Sequence, residues 1–161
     1  MTQNEQHDST AMSLVDHLTE LRKRLLYSIY AVAATSILAY NYSDKIFDIV
    51  RKPIAPFLHG QGLVFTGVMD KFVAYLKVTL VAGIILACPF LIYQLWKFIA
   101  PGLYSKERKY TLGFIFTGSI LFLAGVAFAY FAVYPIAFEF LLTFGGNEDT
   151  PMITINEYLS F

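Results

Sequence analysis

Three stretches of this chain carry no Asp, Glu, Lys or Arg: Leu25–Ser43 with 19 residues, Val78–Trp96 with 19 and Tyr110–Phe138 with 29. No other feature limits the possible folds as strongly. A helix needs about 20 mostly apolar residues to cross about 30 Å of hydrocarbon. Each run is therefore expected to span a membrane, and the third is long enough to tilt or to extend beyond it. Membrane strands would alternate polar and apolar residues, and these runs do not. The composition agrees: 57% hydrophobic and 15% charged, where soluble domains average about 45–50% and about 25%. Twelve basic and twelve acidic residues cancel, so net charge gives no reason to expect nucleic acid. Cys88 is the single cysteine and sits in an apolar run, which excludes an internal disulfide framework and reads as a core residue.

The reading is an all-α integral membrane protein with three complete spans, about 25–43, 73–97 and 110–136, and the start of a fourth. Residues 1–12 are polar and patternless and are expected to be disordered. Ser13 and Asp16 then have capping-box spacing, and Leu14, Leu18, Leu21 and Leu25 recur at helical intervals. An amphipathic helix over 13–24 should run into the first span. A cleaved signal peptide is the rival reading; the long leader, the long apolar run and the lack of a clear cleavage signature disfavour it.

Basic residues set the orientation. Arg22, Lys23 and Arg24 precede the first run, and Lys97, Lys106, Arg108 and Lys109 lie between the second and third. No basic residue follows Lys109. The N-terminus and the 98–109 loop are thus expected to be cytoplasmic, and the loops 44–70 and 139–157 to be outside. Ile46, Phe47, Ile49 and Val50 suggest a short helix in the first outer loop, and Pro53, Pro56, Gly60, Gly62 and Gly67 break it. Asn156 to Phe161 reads as the beginning of another span, so the chain is expected to be a fragment of a longer membrane protein.

No catalytic constellation is visible. A phosphate-binding Gly-Lys-Ser/Thr loop is missing, and the runs contain no acid or base for a proton relay. His17 and Glu20 have i, i+3 spacing, but nothing completes a metal site. The expectation is no enzyme, no cofactor and no metal. Two charged clusters remain. Glu20 lies among Arg22, Lys23 and Arg24, where an i, i+4 surface pair with Arg24 is sufficient reason for it. Glu107 lies in Ala100–Lys109, a turn and helix start in which Ser105 can cap and an acid suits the first turn. Pro89 should kink the second span, which packing alone or a concave surface would explain. Gln94 is the one amide of that span and should bond a neighbouring helix or face a cavity. Small residues at Ala31/Thr35/Ala39, Gly83/Ala87 and Gly125/Ala129 permit close helix packing.

Several long motifs give the chain a family likeness. They are His17-Leu18-Thr19-Glu20-Leu21-Arg22-Lys23-Arg24-Leu25, the stretch Ala87-Cys88-Pro89-Phe90 through Trp96-Lys97-Phe98 to Leu103-Tyr104, and Glu107-Arg108. Phe128–Phe131 with Pro135 and Phe138, and the terminal Tyr158-Leu159-Ser160-Phe161, also fit. Together they resemble TatC, the multispan receptor subunit of the twin-arginine protein translocase, from about residue 13 onward. The resemblance implies a polytopic helical bundle with six spans in the complete protein, in the bacterial cytoplasmic (inner) membrane. It implies binding of twin-arginine signal peptides at the cytoplasmic face, for export of folded proteins. Glu20 and Glu107 would bind the arginine pair; Arg22, Arg24, Phe98, Leu103, Tyr104 and Arg108 would shape the surface. Pro53 and Pro89 match positions of structural importance. The implied partners are signal peptides, the single-span subunits TatA and TatB, the lipid bilayer and further copies of the chain. A structural scaffold without peptide binding is the alternative. Charge-assisted hydrogen bonds are each worth about 1.5–3 kcal/mol, while micromolar binding needs about 8 kcal/mol. Arginine contacts would therefore give selectivity, and apolar contact much of the strength.

Overall fold

The structure, a computed structural model, describes residues 3–58, 62–99, 111–144 and 152–161, with residues 3–14 as backbone only. Among these residues the chain is helical, with one isolated parallel bridge between Val64 and Thr154. Helix α1 runs Gln3–Tyr40, α2 Ser43–Arg51, α3 Asp70–Ile99, α4 Thr111–Phe128, α5 Tyr134–Thr143 and α6 Ile155–Ser160. A short 3₁₀ helix covers Ala55–Leu58, and a π turn covers Ala129–Val133 between α4 and α5.

Two helical stretches are long and apolar enough to cross a membrane, Asp70–Ile99 and the continuous run Thr111–Thr143. Helix α1 falls short of that measure. Its apolar part ends at Tyr40, three residues before the expected boundary, and is diluted by Tyr27, Ser28, Tyr30, Thr35 and Ser36. The N-terminal expectation changes as well. Helix α1 as described starts at Gln3, upstream of the helix start expected at Ser13. Extending an existing helix costs far less than starting one, and Gln, Glu, Met and Ala offer it no obstacle. The third run also outlasts its expected end, so 139–143 is helix and not loop. The π turn has a local cause. Pro135, the second residue of α5, has no N–H for the Phe131 carbonyl, and its ring crowds that carbonyl.

Helices α1 and α3 pack through small residues. A side chain on Gly83 would meet Ser36, and the Thr35 hydroxyl donates to the Gly83 carbonyl at 2.8 Å. Ala39 and Ala87, on the two helices, are also buried. Helix α4 meets α3 through Trp96 stacked on Phe114, centroids 4.9 Å apart, and through Gly118 against Ile92. Gly125, by contrast, has open space around it. Outward apolar side chains such as Leu112, Phe116 and Leu121 are 79%, 69% and 72% exposed, the arrangement hydrocarbon solvates well.

At the Asp70 end of α3 the loops fold into a cap. Helix α2 places Asp44 in its first turn and Arg51 in its last, matching its dipole, and buries Phe47. The sequence pattern pointed to this helix. Pro53 follows its end, and Ile54 beside it is fully buried. Phe47, Ala74, Val78 and Ile155 form one cluster, and Ile54, Phe138 and Tyr158 a second. Tyr130 donates to the Ile49 carbonyl at 2.7 Å, and Tyr158 to the Val50 carbonyl. Asp70 accepts from the Thr66 and Gly67 backbone N–H groups at 3.0 and 2.6 Å, and from Asn156 at 2.8 Å. Helix α6 starts from a capping box in which Thr154 and Glu157 satisfy each other's backbone.

Candidate functional site

The charged cluster forms at the opposite end, where the middle of α1 meets the last turns of α3. His17, Glu20 and Arg24 are spaced three and four apart, so they share one face of α1. Gln94 and Phe98 are four apart on α3. The two faces meet at two points. The His17 ring stacks on Phe98, centroids 4.4 Å apart and planes 24° apart. The Arg24 guanidinium donates from Nη2 to Glu20 Oε1 at 2.7 Å and from Nη1 to Gln94 Oε1 at 3.3 Å.

Gln94 is only 5% exposed, while the Arg24 and Glu20 side chains are 21% and 32% exposed. A buried amide on an apolar helix requires a partner, and Arg24 is that partner. The Arg24 Nε is buried without one among the described residues. The hydrogen bond from Arg24 holds the Glu20 carboxyl below the ordinary glutamate range; burial opposes this, and the charges of Arg24, His17 and Lys23 assist. Glu20 is therefore ionised at neutral pH. Its Oε1 is occupied, and Oε2 accepts no hydrogen bond from the described residues. Beside this cluster the Lys97 ammonium stands 4.9 Å from the Tyr93 ring centroid.

Of the residues singled out in the sequence, Glu20, Arg24, Gln94 and Phe98 come together here. Arg22 is on α1 but exposed and outside the cluster. Pro89 lies within α3, which continues through it to Ile99, and Pro53 lies in the cap at the far end. Glu107, Leu103, Tyr104 and Arg108 lie outside the described residues. The sequence reading missed the His17–Phe98 stack, because His17 was weighed only as a metal ligand. It also missed the Thr154–Glu157 capping box, whose letters stand in the sequence at the required spacing.

A separate apolar cavity of about 450 Å³ lies nearer the cap, among Val81, Ile85, Phe122, Tyr130 and Tyr134, with Lys77 on its lining.

Comparison with known proteins fits this arrangement. Residues 16–161 match the family described as Sec-independent protein translocase protein (TatC). The TatC protein of Carboxydothermus hydrogenoformans is 45% identical over 150 residues, covering 93% of this chain and 61% of that protein. The TatC protein of Desulforapulum autotrophicum is 42% identical over 147 residues, covering 91% of this chain and 54% of that one. This chain thus spans little more than half the length of these relatives. A crystal structure of the twin-arginine translocase receptor TatC superposes with a TM-score of 0.81 at 35% identity, over 89% of this chain and 64% of that one. The two chains therefore share a fold over most of this sequence. The match over almost the whole sequence and the shared architecture place this chain, as a membrane protein, in the TatC family.

Proposed function

We propose that the chain forms the signal-peptide-reading part of a twin-arginine translocase receptor in the bacterial inner membrane. The carrying observation is Glu20: an ionised carboxylate where α1 meets the last turns of α3, one oxygen tied to Arg24 and the other without a hydrogen bond from the described residues. A planar guanidinium is the natural ligand for such an oxygen, and a lysine ammonium fits it less well. Glu107 supplies the second carboxylate for the peptide's arginine pair. Arg22, Arg24, Phe98, Leu103, Tyr104 and Arg108 shape the surface around them. The site faces the cytoplasm, as does the N-terminus, with α1 crossing as a third span. The single-span subunits TatA and TatB are its partners, folded proteins its cargo, and its role is recognition without catalysis.

Family membership and the His17–Phe98 and Arg24–Gln94 contacts support this reading, since the contacts fix the part of α1 that carries Glu20 against the end of α3. The test is photocrosslinking of a twin-arginine precursor to the full chain in membrane vesicles. Glu20→Gln should lower crosslinking sharply, and a Lys-Lys precursor should crosslink poorly to the unaltered chain. Undiminished crosslinking in the Glu20→Gln chain refutes the reading and leaves a scaffold role, for which the Glu20–Arg24–Gln94 tether between α1 and α3 is itself sufficient.

A further inference from the structure

We propose that Gln94 is a positioning residue that keeps Arg24 from closing over Glu20, so that half of the carboxylate stays open to an incoming guanidinium. The inference rests on the reading of Glu20 as a signal-peptide ligand.

A guanidinium beside a carboxylate favours two parallel hydrogen bonds. Nε and Nη2 form one edge of the Arg24 guanidinium, and such an edge can take both carboxylate oxygens. Only Nη2 is used, on Glu20 Oε1 at 2.7 Å. Nε is buried and has no partner among the described residues. Leaving a buried N–H unpaired is unfavourable, so something must hold the guanidinium away from Oε2. Among the described residues, the other polar side chain bound to it is Gln94, which accepts from Nη1 at 3.3 Å. Gln94 is 70 residues away in sequence and buried in α3. It is carried on a helix that packs closely on α1 at Gly83, against Ser36. The amide thus fixes the third nitrogen and turns the Nε–Nη2 edge partly away from Glu20. Without it, Arg24 is free to pair with both oxygens and fill the site from within.

The experiment is precursor crosslinking to the full chain in membrane vesicles, alongside thermal melting of each variant in detergent. Gln94→Met keeps the volume and removes the acceptor. It should lower crosslinking roughly tenfold, the effect of losing one charge-assisted contact. Adding Arg24→Lys to that variant should bring crosslinking to the level of Arg24→Lys alone, with no further loss from Gln94→Met, because an ammonium is a point donor without a two-pronged edge. Gln94→Glu keeps an acceptor and should crosslink like the unaltered chain. A structural role alone would not be relieved by a second substitution at Arg24. The proposal is overturned if Gln94→Met crosslinks normally, or if Gln94→Met still lowers crosslinking in the Arg24→Lys chain while melting is unchanged. Should Gln94→Met fail to accumulate, loss of crosslinking in Gln94→Glu overturns it and retention supports it. Undiminished crosslinking in Glu20→Gln would sink the receptor reading itself, a result separable from any of these.

Discussion

Gly83 on α3 lies directly over Ser36 on α1: a Cβ added to the glycine would sit 2.1 Å from the Ser36 hydroxyl oxygen and 2.8 Å from its Cα and backbone nitrogen. Two of those three atoms are backbone, so no rotamer change relieves the clash. Gly83→Ala must push the helices apart, and in doing so it breaks the bond from Thr35 to the Gly83 carbonyl. Overpacking of this kind costs about 1–3 kcal/mol. Thermal unfolding in detergent should show a lowered midpoint for Gly83→Ala, and Ser36→Gly should not rescue it. An unchanged midpoint would mean that the helices do not approach this closely.

How much of this could be read from the letters depends on the range of the contact. The apolar runs announced the helices because hydrocarbon demands length and apolarity. The stripes of small residues announced the α1–α3 face, and Thr35 and Gly83 are where the two meet. The lone amide of α3 signalled that it needed a partner; that the partner is Arg24 is a fact of helix register, which spacing within one helix does not contain. The contacts of Tyr130 with Ile49 and Tyr158 with Val50 join residues 81 and 108 apart. They depend on how α2, α5 and α6 pack against one another in the cap, which no pattern within a single element specifies. Helix ends were misplaced at Gln3, Tyr40 and Thr143, where propagation and polar dilution, and not charge, decide the boundary.

Tyr130 and Tyr158 reach adjacent carbonyls in the last turn of α2, of which that of Ile49 also accepts from the Lys52 backbone N–H at 3.2 Å. Removing either hydroxyl should cost about 1 kcal/mol. Tyr130→Phe and Tyr158→Phe should each lower the unfolding midpoint slightly. The double variant should lose more than either, since each hydroxyl serves its own carbonyl. A double variant no worse than the singles would indicate that water replaces both donors.

Asp70 ties three segments together: the 66–67 turn, the start of α3 and Asn156 in the first turn of α6. Its carboxylate also accepts from the Thr66 hydroxyl at 2.9 Å. Asp70→Ala removes every one of these acceptors at once, while the apolar clusters around Phe47 and Ile54 remain. The expected result is local loosening with the helices intact. Limited proteolysis should cut within 62–69 faster in Asp70→Ala, with little change in helical circular dichroism. Unaltered cleavage would show that the Val64–Thr154 bridge holds the segment without Asp70.

The Arg24–Glu20 pair also sets a pH dependence. Hydrogen bonding to Arg24 stabilises the ionised carboxylate, so the folded-state pKa lies below the value in the unfolded chain. For a depressed acid, the stabilisation is fully present above the unfolded value and is lost as pH falls through the folded one. The window therefore lies on the acid side of the ordinary glutamate range, and neutral and mildly acidic conditions should leave the site charged. Replacing the guanidinium with a neutral amide, Arg24→Gln, removes the largest cause of the shift and should move the titration of Glu20 upward. Infrared titration of the carboxylate band, using Glu20→Gln as the blank, would follow this directly. A midpoint in Arg24→Gln no higher than in the unaltered chain would mean that the 2.7 Å contact does not hold the charge on Glu20.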